Sequence, residues 1–188
     1  MSINEIREDF DIINFKGIDL RVSDADVIRE LEKLTNGKYT LVKNITDRTK
    51  MGFIVEQFRV SGLGLYDCGI SALPKIIGNL TGLKTLNLAR NHLVSLPETI
   101  GNLSNLQSLD LGFNMLRGLP NSFEKLIRIE ILNLENNQGM FNLPEIIGNL
   151  PLLKTLILYH TGATLSSPNK EFKRLIKQLR KQKINILF

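Results

Sequence analysis

Four kinds of residue in this 188-residue chain could carry chemistry: one thiol at Cys68, two imidazoles at His92 and His160, carboxylates at Asp67, Asp110, Glu130 and Glu135, and a glycine pair at Gly62 and Gly64. Each lacks the companions its chemistry demands. A nucleophilic Cys needs a base and an orienting group to hold it as the thiolate; no His/Asn pair is placed to do so, and Cys68 reads as a buried structural thiol. The histidines are far apart and no HExxH occurs, so no metal is expected. Gly62-Leu63-Gly64 begins like a dinucleotide loop but continues Leu65-Tyr66-Asp67 without a third glycine, and Gly64 to Ser71 lacks the Lys of a phosphate loop. Paired carboxylates work as acid and base where an apolar wall drives their pKa values apart, and nothing flanking these four supplies one. The expectation is a protein that is not an enzyme and holds no cofactor.

The remaining chemical feature is charge. The net charge is +5, but residues 1–59 carry 10 basic and 11 acidic side chains and residues 60–167 carry 7 of each. The excess therefore lies between Pro168 and Phe188, where Lys170, Lys173, Arg174, Lys177, Arg180, Lys181 and Lys183 face Glu171 alone. Such a cluster is either the solvated side of an amphipathic helix or a contact for an anionic partner or membrane surface. The first reading is favoured, because the same segment must cover apolar structure. Interleaved exposed aromatics are missing, so nucleic acid is not an expected partner.

The elements that would position these residues follow from an internal repeat. Leu-Pro recurs at Leu73-Pro74, Leu96-Pro97, Leu119-Pro120 and Leu143-Pro144, spacings of 23, 23 and 24, and Ile-Gly-Asn-Leu recurs at 77–80, 100–103 and 147–150. On that period the frame LxxLxLxxNxL reads Leu83, Leu86, Leu88, Asn91, Leu93 and then Leu106, Leu109, Leu111, Asn114, Leu116. Looser copies stand on either side: Val60, Leu63, Leu65, Cys68, Ile70 before, and afterwards Ile129, Leu132, Leu134, Asn137 with one extra residue near Gly139, then Leu153, Leu156, Leu158 with Thr161 for Asn. About five repeats are counted.

This pattern resembles the leucine-rich repeat family, in its 23-residue class with the LPxxIGNLxxL phrase found in intracellular Ras-suppressor and plant Ras-group proteins and in prokaryotic relatives. The resemblance covers roughly residues 60–165. It implies an α/β solenoid with a concave parallel β-sheet, and a protein partner, with a small GTPase or its effector among the candidates.

The residues predict the same shape. In LxLxx the period is two, so Leu86 and Leu88 point inward while Lys84, Asn87 and Ala89 point out, and stacked copies form a parallel sheet. The ninth-position Asn both donates and accepts, so Asn91, Asn114 and Asn137 can satisfy the backbone where the strand stops. Residues 1–59 are expected to form an N-terminal cap: Ser23 or Asp24 starts a helix over about 24–36 whose Val27, Ile28, Leu31 and Leu34 share a face, Asn36-Gly37 ends it, and Tyr39–Lys43 and Phe53–Val60 are strands. A helix and hairpin leading into GLGL is similar to the start of some prokaryotic relatives. Residues 60–165 are the repeats. Residues 166–188 are a C-terminal cap, with a helix begun by Ser167-Pro168, buried on Phe172, Leu175, Ile176 and Leu179, and a closing strand at 184–188.

The variable surface is where function is expected. Outward positions differ between repeats: the seventh reads Tyr66, Ala89, Gly112, Glu135, Tyr159, the eighth Asp67, Arg90, Phe113, Asn136, His160, and the fifth Gly64, Asn87, Asp110, Asn133, Ile157. Tyr and Arg are enriched where binding energy concentrates. Tyr66, Asp67, Arg90, Asp110, Phe113, Glu135, Asn136, Tyr159 and His160 are thus the expected protein-binding residues of the concave face. Lys173, Arg174, Lys177, Arg180 and Lys181 are the alternative site, for an anionic membrane or acidic partner. With no apolar run of membrane-spanning length, no basic leader and one Cys, the expectation is a cytoplasmic monomer without membrane contact.

Overall fold

The alternation in Thr85-Leu86-Asn87-Leu88 is expressed as a strand with Leu86 and Leu88 turned into the core, and each later copy repeats it with Leu109 and Leu111, Leu132 and Leu134, and Leu156 and Leu158, all buried. The computed structural model describes residues 12–141, 143, 145–165 and 169–188. It opens with a hairpin, β1 (Ile12–Phe15) and β2 (Ile18–Arg21), turned at Lys16-Gly17, where both φ angles are positive. Helix α1 (Val22–Thr35) and the short β3 (Thr40–Leu41) follow, then β4 (Gly52–Glu56) and β5 (Arg59–Gly64). The repeat strands are β6 (Thr85–Asn87), β7 (Ser108–Asp110), β8 (Ile131–Asn133) and β9 (Thr155–Ile157). After a single turn of helix, α2 (Gly162–Leu165), come helix α3 (Lys170–Lys181) and β10 (Asn185–Leu187). One eight-stranded sheet runs β10-β9-β8-β7-β6-β5-β4-β3. Among the described residues it is parallel from β5 to β10 and between β3 and β4, and antiparallel only between β4 and β5.

Opposite the sheet, the segments after Leu-Pro wind into 3₁₀ turns at Lys75–Asn79, Glu98–Asn102, Asn121–Lys125 and Glu145–Asn149. Pro74, Pro97 and Pro120 stand at the start of the first three with φ near −68°, where their missing N–H costs nothing. Ile77, Ile100, Phe123 and Ile147 reach the core from this side. Each fully buried aliphatic or aromatic side chain contributes roughly 1.5–3 kcal/mol, and one repeat alone could not collect it. The recurring Ile-Gly-Asn phrase has a steric cause. A Cβ at Gly78 would lie 2.6 Å from the Thr99 carbonyl oxygen, and one at Gly101 2.4 Å from that of Ser122, so glycine permits adjacent turns to stack.

Several expectations about the flanking segments are corrected. Neither Ser23 nor Asp24 caps α1: Arg21 holds the N-cap position and its side chain makes no capping hydrogen bond, and Asp24 is wholly buried and accepts from the Val60 N–H at 2.8 Å and from Arg59 at 3.4 Å. It ties α1 to β5 instead. At the other end Asn36 closes the helix in the left-handed conformation, φ 48°. Phe53–Val60 is not one strand but the β4–β5 hairpin, turned by Gln57 (φ 48°) and Phe58 (φ 63°). Leu34, assigned to the buried face of α1, is exposed. The Ser167-Pro168 start of the last helix lies outside the described residues. Its N-cap is Asn169, whose side chain accepts from the Phe172 N–H at 2.8 Å.

Candidate interaction face

Parallel pairing continues beyond each short strand. Asp67, Arg90, Phe113 and Asn136 donate their backbone N–H to the carbonyls of Ala89, Gly112, Glu135 and Tyr159 at 2.9, 2.9, 2.7 and 2.7 Å. At this eighth position the chain then turns: φ is 52° at Asp67, 56° at Arg90, 57° at Phe113, 54° at Asn136 and 54° at His160. A left-handed backbone costs an L-residue roughly 1–2 kcal/mol. The ninth-position Asn stabilises the bend. Asn91 accepts from the N–H groups of Cys68 and Ile70 and donates to the carbonyls of Leu65 and Leu88. Asn114 bonds Leu93, Leu88 and Leu111, and Asn137 bonds Leu116, Leu111 and Leu134, each linking its own repeat to the one before. Cys68 is half-buried, donates to the Tyr66 carbonyl at 3.4 Å, and has its thiol pKa raised by burial, which makes it a poor nucleophile.

The left-handed turn lifts a row of side chains along one edge of the sheet. Asp67, Arg90, Phe113 and His160 are exposed and Asn136 half-exposed; Tyr159, one residue earlier in its repeat, is 38% exposed, as is Phe113. The Arg90 guanidinium lies over the Phe113 ring, 4.6 Å from its centroid. Asp67 pairs with Lys50 at 2.6 Å, and that contact lowers its pKa. Glu135 is half-buried and accepts weakly from Asn136, at 3.4 Å.

The N-terminal part of the concave sheet is covered by the chain itself. The segment between β3 and β4 crosses the face of β5 and β6: the Thr49 carbonyl accepts from the Tyr66 N–H at 3.2 Å, and the Thr46 carbonyl from the Asn87 side chain at 2.9 Å. Thr49 also fills the space over Gly64, where a Cβ would meet its carbonyl oxygen at 2.6 Å. Gly64 and Asn87, read as outward positions, are therefore buried, and Tyr66 is half-buried.

Fifth-position polar residues serve the backbone. Asn87, Asp110 and Asn133 each accept from the N–H two residues on, at Ala89, Gly112 and Glu135, all at 2.9 Å. Burial raises the Asp110 carboxyl pKa, against the Gly112 N–H and Asn133 side chain, which favour the anion, and with help from Glu135 and Asp47. Asp110 is thus engaged in the turn rather than free for a partner. Of the other carboxylates weighed as acids or bases, Glu130 is paired with Lys154 at 2.6 Å. No group of three or more His, Cys, Asp or Glu suited to a metal occurs among the described residues.

Two clefts were not foreseen as such. One, about 460 Å³, adjoins the eighth-position row and is formed by Val94, Asn114, Met115, Arg117, Asn136, Gln138 and Gly139. Val94 and Met115 are exposed apolar residues outside the Leu frame, and that departure is the signal in the sequence. The extra residue near Gly139 makes Met140 the buried residue after Asn137, and Gln138 and Gly139, between the two, line the cleft. The other, about 580 Å³, lies between α3 and Phe188. The basic cluster divides there: Lys173, Lys177, Arg180 and Lys181 border this cleft, whereas Arg174 stands on the other side, beside Glu145 and Gln178. Phe172, Leu175, Ile176 and Leu179 are buried, and the Gln178 side chain donates to the Gly148 carbonyl at 2.9 Å.

Comparison with known proteins agrees with this geometry. A family model described as a leucine-rich repeat region matches residues 34–134 and 63–186. A leucine-rich repeat protein of Leptospira interrogans is 31% identical over 85% of this chain, with a TM-score of 0.65; the chain spans 39% of that protein's length. The leucine-rich repeat ectodomain of the receptor kinase SOBIR1 from Arabidopsis thaliana is 24% identical, with 75% of this chain and 81% of that one covered and a TM-score of 0.53. The PEPR1–AtPEP1 structure is 24% identical over 72% of this chain and 21% of its own, with a TM-score of 0.50. The two plant structures share the fold. A search of the curated proteins finds no match to the sequence.

Proposed function

This chain belongs to the leucine-rich repeat family, and from that premise we propose that it is a non-enzymatic module that binds a protein partner along the concave face and its adjoining rim. The family and fold are those of protein-interaction modules. One observation carries the finer reading: the left-handed eighth-position row displays Arg90 and Phe113 as a stacked pair, with Tyr159 and His160 further along the same edge. Aromatic residues and Arg held in fixed geometry on a rigid frame are the residues that dominate interface energies. The Val94–Met115 cleft beside them offers an apolar recess for a partner side chain. Because the Thr46–Lys50 segment covers β5 and β6, the available area is small and centres on β7 to β9. An interface at the lower end of the standard size follows.

The proposal takes the module as a monomer in a reducing compartment, where Cys68 stays a thiol. A small GTPase or its effector is the partner class that the repeat phrase suggests. Affinity capture from lysate of the source organism, comparing wild type with Arg90→Glu/Phe113→Ala/Tyr159→Ala, tests the reading. A protein retained by wild type and lost by the variant supports it. Equal retention of the same material by both overturns the concave assignment.

A further inference from the structure

We propose that the cleft between α3 and Phe188, beside the edge of β10, is a second binding site, which takes an acidic strand of a partner protein with its apolar side chains seated in the cleft. The floor is apolar: Phe172 and Phe188 stand with ring centroids 6.4 Å apart at 60°, and Ile176 lies alongside. The border is cationic, with Lys173, Lys177, Arg180 and Lys181 all exposed along one side. The cleft runs along α3 and is bounded on its other side by Phe188, the residue that follows β10.

The strand beside the cleft has a free edge among the described residues, because β10 is the last in the sheet order and pairs only with β9. The Asn185 N–H donates to the Lys154 carbonyl and the Leu187 carbonyl accepts from Leu158, both at 2.8 Å, so these two residues face β9. In a parallel ladder alternate residues face opposite neighbours, which turns the N–H and C=O of Ile186 to the open side. An added strand would bond there. Side chains on its α3 face would fall over Phe172, Ile176 and Phe188, and acidic residues on that same face, two positions from the apolar ones, would stand beside the four cations, in the manner of peptide recognition at a sheet edge.

Charge selects this occupant over the other candidates. Two copies joined β10 to β10 would bring two sets of these four cations together. Head-to-tail stacking would set them against the β3 edge, which Lys38 and Lys43 flank, both exposed. Like-charge juxtaposition of this kind suppresses association. A membrane surface is disfavoured because Leu175 and Leu179, the side chains an interfacial helix would insert, are buried against the stack.

The probe is a fluorescein-labelled heptapeptide, Glu-Ser-Leu-Thr-Phe-Ser-Glu, whose Glu, Leu, Phe and Glu share one face as a strand, read by fluorescence anisotropy, with its Gln-for-Glu counterpart as the uncharged control. Wild type should bind the acidic peptide saturably, with the largest amide shifts in a heteronuclear NMR spectrum at Ile184–Phe188 and along α3. Lys177→Glu/Lys181→Glu, at exposed positions that leave the melting curve unchanged, should weaken binding about tenfold or more. Phe188→Glu should weaken it independently. The proposal is overturned by no anisotropy change up to about 1 mM peptide, by equal binding of the Gln peptide, or by amide shifts confined to β6–β8. It is also overturned if the protein floats with phosphatidylserine-containing vesicles while ignoring the peptide, which would make the cluster a headgroup site.

Discussion

The Arg90 guanidinium carbon lies 4.6 Å from the centroid of the Phe113 ring, joining the eighth positions of two consecutive repeats on the exposed edge of the sheet. Both residues have left-handed backbones, φ 56° and 57°, so the contact rests on a repeated turn rather than on two flexible side chains meeting by chance. Cation–π contacts at exposed sites contribute roughly 0.5–1 kcal/mol. A double-mutant cycle of Arg90→Ala and Phe113→Ala, read by urea denaturation, should therefore give a coupling energy of about 0.5–1 kcal/mol. A coupling indistinguishable from zero would mean that the two side chains are independent on the surface.

The asparagine ladder should carry stability out of proportion to its size. Asn114→Ala leaves the buried Leu93 N–H without its side-chain acceptor and removes one of two side-chain donors from the carbonyls of Leu88 and Leu111, which keep Asn91 and Asn137. Each buried polar group so orphaned costs about 1–3 kcal/mol. A loss of about 1–3 kcal/mol in chemical denaturation is expected. A loss below about 0.5 kcal/mol would show that water or a rearranged turn replaces the amide.

Gly101→Ala tests why glycine recurs in the 3₁₀ turns. The added methyl would sit 2.4 Å from the Ser122 carbonyl oxygen, and backbone must move to admit it. Overpacking of this kind costs about 1–3 kcal/mol. The same exchange at Gly118, whose Cβ would meet nothing within 4 Å, serves as the control and should be tolerated. Comparable melting temperatures for the two variants would contradict the stacking argument.

Asp110 gives a pH prediction with a definite sign. Burial holds its folded-state carboxyl above the ordinary value of 3.8. A group raised in the folded state contributes its stability below the unfolded pKa and loses it as pH rises through the folded one. Asp110→Asn keeps an acceptor for the Gly112 N–H and has no charge to bury. The difference in unfolding free energy between variant and wild type should therefore shift toward the variant as pH rises from about 3 to 7. A shift toward wild type over that window would mean that the anion is stabilised in the fold.

Much of the frame was legible because it rests on period and on residue type. Leu86 and Leu88 declare an inward-facing strand, and the Asn at position nine declares a bend that needs an amide. The parts that escaped notice lack such signals. Asp67, Arg90, Phe113, Asn136 and His160 share no chemistry, yet all adopt left-handed backbones, because the ladder bonds and the following turn impose the conformation. Gln57 and Phe58 turn a hairpin with no Gly or Asn between them, so Phe53–Val60 reads as an unbroken strand. The Thr46–Lys50 segment is polar and aperiodic, and its place over the concave face depends on contacts with Tyr66 and Asn87 that are distant in sequence. Of the candidate site, the eighth-position row was legible once the frame was set. The backbone role of Asp110 and the cleft beside Met115 were not, since both depend on how the turn after each strand folds.

The central claim is that the Arg90–Phe113 edge is where a partner binds, and placing a photocrosslinking residue there tests it most directly. p-Benzoylphenylalanine would replace Phe113 in one protein and Lys75, on the exposed side of the first 3₁₀ turn, in another, and each would be irradiated in lysate of the source organism. A discrete crosslinked protein obtained from position 113, absent from position 75 and suppressed by excess unmodified protein is the predicted result. A competed product arising from position 75 and not from 113 would contradict the account and move the binding surface to the convex side.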